Sequence, residues 1–532
     1  MVEDPTVGRD TEDTSPRGPL GWCGAGLCLG GAALAFAPEV PWWAALSAAG
    51  TGLLMVAAGR RRMRARPWRR SLPPAAAGLV LALVAGFGVR ALTLSLMVDH
   101  TVAATVPGTA PPVPARAAEV AWSWTPPGDG AVVDVLPGTL GPVVVLDDGV
   151  VALDGTTGGE LWRYRLRGAD ARASVHGGGT RVHVAHGDPD DPGRTGALAW
   201  VELDTARGAT VEAFTTPPPP DGADARVLAA GPGTLVYSWQ EGDGPPRISA
   251  RDTSGFREAW SFTVPERPGR VCGPRREWDA DNTLRTPDVF LVAYACAPRD
   301  SPSGASSMGP ADTPATHLTG VVTALDPRDG GERWTRELPG LGDFPALRTG
   351  GPAADPEARP AVVAGPLAGG GAPAALDPRD GSHAVRITDE SWTDGRSVLV
   401  GADTSGAVVA ETAADRVLFH RVDPAGEIVE TAALPGDEVS EHGPGPAVGL
   451  PGAVAVPSGG DRAGAGEGSG APALWSVPFD GDPRLLVLDP PDGARPEPPG
   501  PDAGDHRAVA VPGALVTVVR GADTVRLYGL VA

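Results

Sequence analysis

The chain has no lysine: all 44 of its basic residues are arginine. This uniformity is read as a base-composition bias and carries no mechanism. Cysteine is scarce as well. There are four, Cys23, Cys28, Cys272 and Cys296, and no two are adjacent. Two outer cysteines with no histidine placed beside them do not make a zinc module. A Gly-x-Ser-x-Gly elbow is missing, and no Ser/His/Asp set assembles. The glycine-rich run Gly464-Ala465-Gly466-Glu467-Gly468 lacks the strand-to-helix context of a phosphate cradle, and the kinase loops are absent. Net positive charge is confined to the start of the chain. Residues 1–116 hold 11 Arg and 7 acidic residues, so from residue 117 onward 33 Arg face 58 acids. A region so acidic repels phosphate backbones, which argues against a nucleic-acid partner.

What the chain has in excess is glycine, 74 residues, and proline, 58. With a 42% apolar share and regular strand-like runs, this composition fits many short strands joined by turns rather than disorder. The expected class is all-β, preceded by an α-helical membrane anchor.

The anchor is read from three apolar stretches, 21–37, 42–58 and 74–98. The third is long enough for a hydrocarbon core that takes about 20 helical residues. The first two are joined only by Pro38-Glu39-Val40-Pro41 and read as a hairpin. Between the second and third lie Arg60, Arg61, Arg62, Arg64, Arg66, Arg69 and Arg70. A basic cluster flanked by spans marks the cytoplasmic side; the other reading of such a run is nucleic-acid or anionic-lipid binding. Cys23 and Cys28 fall in the first span as small apolar residues. Arg90, towards the outer end of the third, is placed to snorkel to the interface or to mark the true end of the span. The expected organisation is a cytoplasmic segment 1–20, a transmembrane hairpin 21–59, a cytoplasmic Arg-rich loop 60–71, a third transmembrane helix 72–98, a Pro/Ala/Thr linker 99–118 and an extracytoplasmic domain 119–532. The protein is thus expected to be a multi-pass cell-membrane protein.

The outer domain repeats. A strand, an Asp, a tight turn and a second strand recur at Asp154, Asp204, Asp252, Asp326, Asp377, Asp423 and Asp480. In the best-kept copy, Val151-Ala152-Leu153-Asp154 leads into Thr157-Gly158 and then Trp162. Asp can fold its carboxylate onto turn N–H groups, and Gly supplies positive φ. Two further β-like runs precede each Asp; before Asp154 they are residues 131–136 and 142–146. Four strands in roughly 50 residues make one propeller blade. At the C-terminus three strands, 507–511, 514–519 and 524–530, lack a fourth, and Glu119-Val120-Ala121-Trp122-Ser123-Trp124 is an orphan fourth strand at the other end. Together they complete an eighth blade and close the ring; a seven-bladed ring is the alternative.

These residues resemble the blade signature Ala-x-Asp-x-x-Thr-Gly-x-x-x-Trp of the pyrroloquinoline-quinone-repeat (quinoprotein-like) propeller family. Ala152, Asp154, Thr157, Gly158 and Trp162 match it fully. Ala324, Asp326, Gly330 and Trp334 match with Asp329 in place of Thr. Ala250, Asp252 and Trp260 keep the spacing, with Gly255 one place early, and Glu212 and Val385 replace the Trp in two further copies. The resemblance implies that each Trp docks between neighbouring blades. It also implies that catalytic members bind the quinone and Ca²⁺ on the ring axis, with an Asp base and an adjacent Cys–Cys disulfide. No such Cys pair exists here, and no calcium carboxylate set is evident. The preferred function is therefore a non-catalytic binding, scaffold or sensor module for a protein or cell-envelope ligand, with no cofactor and no metal. The alternative is a quinone- and Ca²⁺-dependent oxidoreductase.

Cys272 and Cys296 fall in the first two strands of the predicted fourth blade, where adjacent antiparallel strands and an oxidising compartment favour a disulfide. His183 and His186, three apart in a strand, face opposite sides and with His176 are not read as a zinc site. Asp279-Ala280-Asp281-Asn282 and Asp188-Pro189-Asp190-Asp191 lack the Gly and closing Glu of a calcium loop and read as polar turns.

Overall fold

The structure is a computed structural model. It describes residues 97–532 apart from connecting segments, the longer of which are 188–197, 217–222, 300–317, 352–360, 367–373, 386–396, 436–446, 459–471 and 489–507. The three apolar stretches lie outside the described residues, except Met97 and Val98, and so do Arg60 to Arg70, Arg90, Cys23 and Cys28. Among the described residues no helix is long and apolar enough to cross a membrane.

Eight antiparallel sheets follow one another along the chain. Blade one is Val132–Pro137, Pro142–Leu146, Gly149–Leu153 and Glu160–Leu166. Blade two is Ala171–His176, Arg181–His186, Leu198–Asp204 and Thr210–Thr216. Blades three to seven span 223–262, 270–338, 345–385, 397–435 and 448–487. Blade eight takes Ala508–Val511, Ala514–Arg520 and Val525–Val531 from the C-terminus. Its fourth strand is Glu119–Trp124, paired so that Glu119 faces Val531 and Trp124 faces Leu527. The ring therefore has eight blades and closes by joining its two ends. First strands of neighbouring blades touch one another, which puts them around the axis.

The strand sequences follow from this stacking. Middle strands are covered on both faces by the neighbouring blades, so Pro142–Leu146 and Gly149–Leu153 are buried at every position and read as continuous apolar runs. Fourth strands form the rim and alternate, as in Thr210–Thr216.

Neighbouring blades are clamped by tryptophan. Trp162, wholly buried in blade one, donates its Nε1–H to Thr205 O of blade two at 2.8 Å. Trp122 does the same to Gly155 O at 2.8 Å, Trp260 to Pro327 O at 3.1 Å and Trp334 to Pro378 O at 3.1 Å. Each indole lies on a glycine four residues after the turn Asp of the next blade: Gly158, Gly208, Gly330 and Gly381. These glycines have φ between 67° and 71°, a region other residues rarely adopt. Where Glu212 stands in place of the Trp, its Oε1 instead accepts the Thr253 hydroxyl at 2.8 Å. The glycine position of that next turn is then Phe256, at φ 54°, not the early Gly255. Without an indole to seat, the site has room for a ring of its own, which packs edge-on against Tyr237 at 5.5 Å.

Cys272 and Cys296 sit directly opposite each other in blade four and are disulfide-bonded. The inner edge of this blade is built in two pieces, because Thr283–Arg285 also pairs with Phe290–Pro298.

The segment 99–118 departs from the free linker expected of it. Pro112 O accepts the Gly513 N–H at 2.9 Å, Ala115 O accepts Gly452 N–H at 2.8 Å, and Ala118 N–H donates to Val531 O at 2.7 Å. Pro114 and Ala117 are buried. Its Pro and Ala side chains present apolar surface, and its backbone carbonyls at Pro112 and Ala115 accept N–H bonds from turns of blades eight and seven.

Gly330→Ala places a Cβ 2.8 Å from the Trp260 ring at φ 71°; a loss of about 1–3 kcal/mol is expected, read from the urea midpoint. Replacing Cys272 and Cys296 by Ala is expected to cost about 2–4 kcal/mol, and an unchanged midpoint under reducing and oxidising conditions would contradict it.

Candidate functional site

The turn motifs do not converge on one site. Asp154, Asp252, Asp326 and Asp377 each accept N–H bonds within their own turn. Asp154 Oδ1 accepts the N–H groups of Thr156 and Thr157, both at 2.9 Å, and both hydroxyls at 2.6 and 3.1 Å. Partial burial works against its charge, but these bonds together outweigh it and hold the carboxyl below the usual range. Asp252 accepts from Ser254 and Gly255 in the same way, and Asp326 from Arg333 and Arg328. Asp279 likewise closes a local turn, accepting N–H bonds from Asp281 and Asn282. Residues 188–191 and 464–468 lie outside the described residues.

One set, which includes the turn residue Asp204, does converge. In blade two, His176 pairs opposite Arg181 and Ser174 opposite His183. In the next strand pair, His183 is opposite Glu202 and Arg181 opposite Asp204. Opposed residues of an antiparallel pair share a face. His176, Arg181, His183, Glu202 and Asp204 are therefore on one face, and His186 is on the other. Ala185 and Trp200 continue the first face and pack on Ala230, Leu235 and Tyr237 of blade three. The cluster lies in the seam between blades two and three.

Its geometry is tight. The imidazoles of His176 and His183 stack at 4.2 Å with 17° between planes. His183 Nε2 is 3.3 Å from Glu202 Oε2, and His176 Nε2 is 3.9 Å from Oε1, beyond hydrogen-bond reach. Trp200 meets His183 edge-on at 6.5 Å. Arg181 Nε lies 3.6 Å from Glu202 Oε1, while its Nη1 donates to Asp204 at 2.7 Å. From blade four, Arg285 passes over Gly231 of blade three, where a Cβ would strike the guanidinium. Its charge acts on both His176 and Glu202. Three buried nitrogens in this group have no hydrogen-bond partner among the described residues: His176 Nε2, His183 Nδ1 and Arg285 Nη1.

The environment sets the protonation. Burial first, then the charges of His183, Arg285 and Arg181, push His176 down to about 4 against the opposing pull of Glu202. The hydrogen bond from His183, followed by the neighbouring positive charges, outweighs burial and holds the Glu202 carboxyl below its ordinary range. The cluster is thus a carboxylate beside a neutral imidazole near neutral pH. On the opposite face, burial pushes His186 down to about 4, opposed by Asp148; its ring packs 5.5 Å from Tyr164 of blade one.

This donor set was not legible from sequence as a group. Glu202 lies two residues before the turn Asp204, and the histidines belong to two different strands. Only the register brings them together. Tested against the group that the family resemblance implies, the residues do not fit. The disulfide joins strands 24 residues apart rather than adjacent cysteines. The metal-ligating cluster found among the described residues offers two nitrogens and one carboxylate, whereas Ca²⁺ takes six to eight oxygens.

No protein-family profile matches the chain, and no curated protein does. Solved structures with a similar trace include a quinohemoprotein alcohol dehydrogenase from Pseudomonas putida, at 12% identity and TM-score 0.36, covering 77% of this chain and 75% of that one. A europium-containing methanol dehydrogenase aligns at 14% identity and TM-score 0.35, over 75% and 84% of the two chains. The WD40 domain of SCAP from fission yeast aligns at 10% identity and TM-score 0.39, over 77% and 98%. The class of the protein is set by its own strand pairing: an eight-bladed β-propeller.

The two depressed histidines predict an acid-sensitive fold. With the unfolded value near 6.5 and folded values of about 4, the unfolded chain binds more protons between these limits. The stability they carry is complete above pH 6.5 and lost as pH falls towards 4. Measured Tm is expected to fall across that window, and His186→Phe to flatten the slope; an equal slope in the variant contradicts the assignment.

Proposed function

We propose that the propeller is a membrane-tethered, extracytoplasmic and non-catalytic module that binds a protein or cell-envelope ligand. The observation that carries this reading is the Cys272–Cys296 disulfide, because such bonds persist in oxidising compartments. The arginine cluster at Arg60–Arg70 between two apolar stretches supports the same topology from the other side of the membrane. The acidic balance of the outer domain points to a partner other than nucleic acid.

The rim offers a binding surface. A groove of about 480 Å³ between blades six and seven is lined by Asp415, Arg416, Ala433, Leu434, Pro435, Trp475 and Pro483. The indole Nε1 of Trp475 is buried there with no acceptor among the described residues. An apolar floor with one unsatisfied donor suits a ligand that presents a carbonyl beside apolar groups.

Reporter fusions at Arg66 and Arg116 test the topology. A reporter active only outside the cytoplasm is expected to work at Arg116 and to be silent at Arg66; activity at Arg66 overturns it. Crosslinking on intact cells, with wild type and Trp475→Ala compared, tests the binding. A specific adduct lost in the variant is expected, and identical adducts in both would place binding elsewhere.

A further inference from the structure

We infer that His176, His183 and Glu202 form a binding site for one divalent first-row transition-metal ion of the Zn²⁺ type. One donor atom from each of the three residues lies within 4.8 Å of the others, and all three residues are buried. Two imidazoles with one carboxylate, leaving a further position for water, is a donor set that suits zinc. Imidazole nitrogen also selects against Ca²⁺ and Mg²⁺, which take oxygen.

The argument rests on an orphaned atom. His176 Nε2 is buried and makes no hydrogen bond, yet it points towards Glu202 Oε1 at 3.9 Å. If it carries a proton, the donor is too far away to give it. If it carries a lone pair, that pair faces a carboxylate. Either state is costly in a buried site. A cation between the two imidazoles and the carboxylate gives all three groups a partner. Each bond would be about 2.0–2.1 Å, so the stacked rings must splay and the donors close by an amount on the order of 1 Å.

The surrounding charges set the limits of the site. Arg181 shares Glu202 Oε1 but is anchored by Asp204, with its side chain 34% exposed, and it leaves Oε2 to the imidazole side. Arg285 adds a positive charge that weakens any cation here. The site is therefore expected to be moderate in affinity rather than a tight structural zinc. Its position is independent of where the domain resides. It belongs to the blade seam, and an ion there would tie the first three strands of blade two together.

The test uses the full-length chain, purified without chelators and dialysed. Zn²⁺ binding is measured by competition with a chromogenic chelator, and Co²⁺ is added to read its visible ligand-field bands. About one ion per chain is expected. His176→Ala and the near-isosteric Glu202→Gln are each expected to weaken binding by at least ~10-fold and to abolish the four-coordinate cobalt bands. His420→Ala, at the separate His420–Glu411 pair of blade six, is expected to leave both unchanged. Far-UV circular dichroism identifies any variant that fails to fold, and Glu202→Gln, which keeps the side-chain volume, then decides. Wild type that binds neither Zn²⁺ nor Co²⁺ more tightly than folded Glu202→Gln overturns the inference.

Discussion

The ring is pinned by one contact repeated at four of its eight seams: an indole from the last strand of one blade laid on a left-handed glycine in the turn of the next. A blade cannot bury both of its faces by itself. Stacking must be specified, and flat apolar faces specify it poorly, because they can slide. The indole adds a fixed point. Its ring fills the space left by the missing Cβ at Gly158, Gly208, Gly330 or Gly381, and its N–H reaches a carbonyl of the same turn. The Asp of that turn holds the carbonyl in place by accepting N–H bonds at the turn's start.

Four of the eight seams lack a Trp in the rim strand, those after blades two, five, six and seven, and one of them holds the polar cluster. Between blades two and three the Trp is replaced by Glu212 and the glycine by Phe256. In that seam lie His176, His183, Glu202 and Trp200, with Arg285 reaching in over Gly231. The seam between blades four and five, which keeps its indole, is apolar in the cluster around Trp334. In this seam the departure from the repeat coincides with a polar cluster, while in the indole-clamped seam between blades one and two the buried polar ring is His186. A seam freed of the indole clamp can hold titratable groups whose burial would otherwise work against stacking.

Much of the fold was legible from the chain because its signals are local and periodic. Asp154, Gly158 and Trp162 sit within nine residues, and their copies return about every 50. Ring closure was legible because Glu119–Trp124 has the pattern of a fourth strand with no blade in front of it. The facing cysteines, too, followed from strand order. The rest depended on register and on contacts between blades. Phe256 takes the glycine position only because an indole is missing one blade earlier. The docking of residues 112–118 depends on free N–H groups in turns more than three hundred residues away. His176 and Glu202 are 26 positions apart and meet only after two strand pairings are set. A reading by motif finds the residues that build the ring, and misses those that the ring brings together.

The most direct measurement is a double-mutant cycle on Trp162 and Gly208. If the indole on the glycine is what fixes adjacent blades, Gly208→Ala should destabilise the wild type strongly and have a much smaller effect once Trp162 is Val. The coupling should be at least ~1 kcal/mol by urea denaturation, the range found for residues in direct contact. Additive effects of the two substitutions would contradict the account.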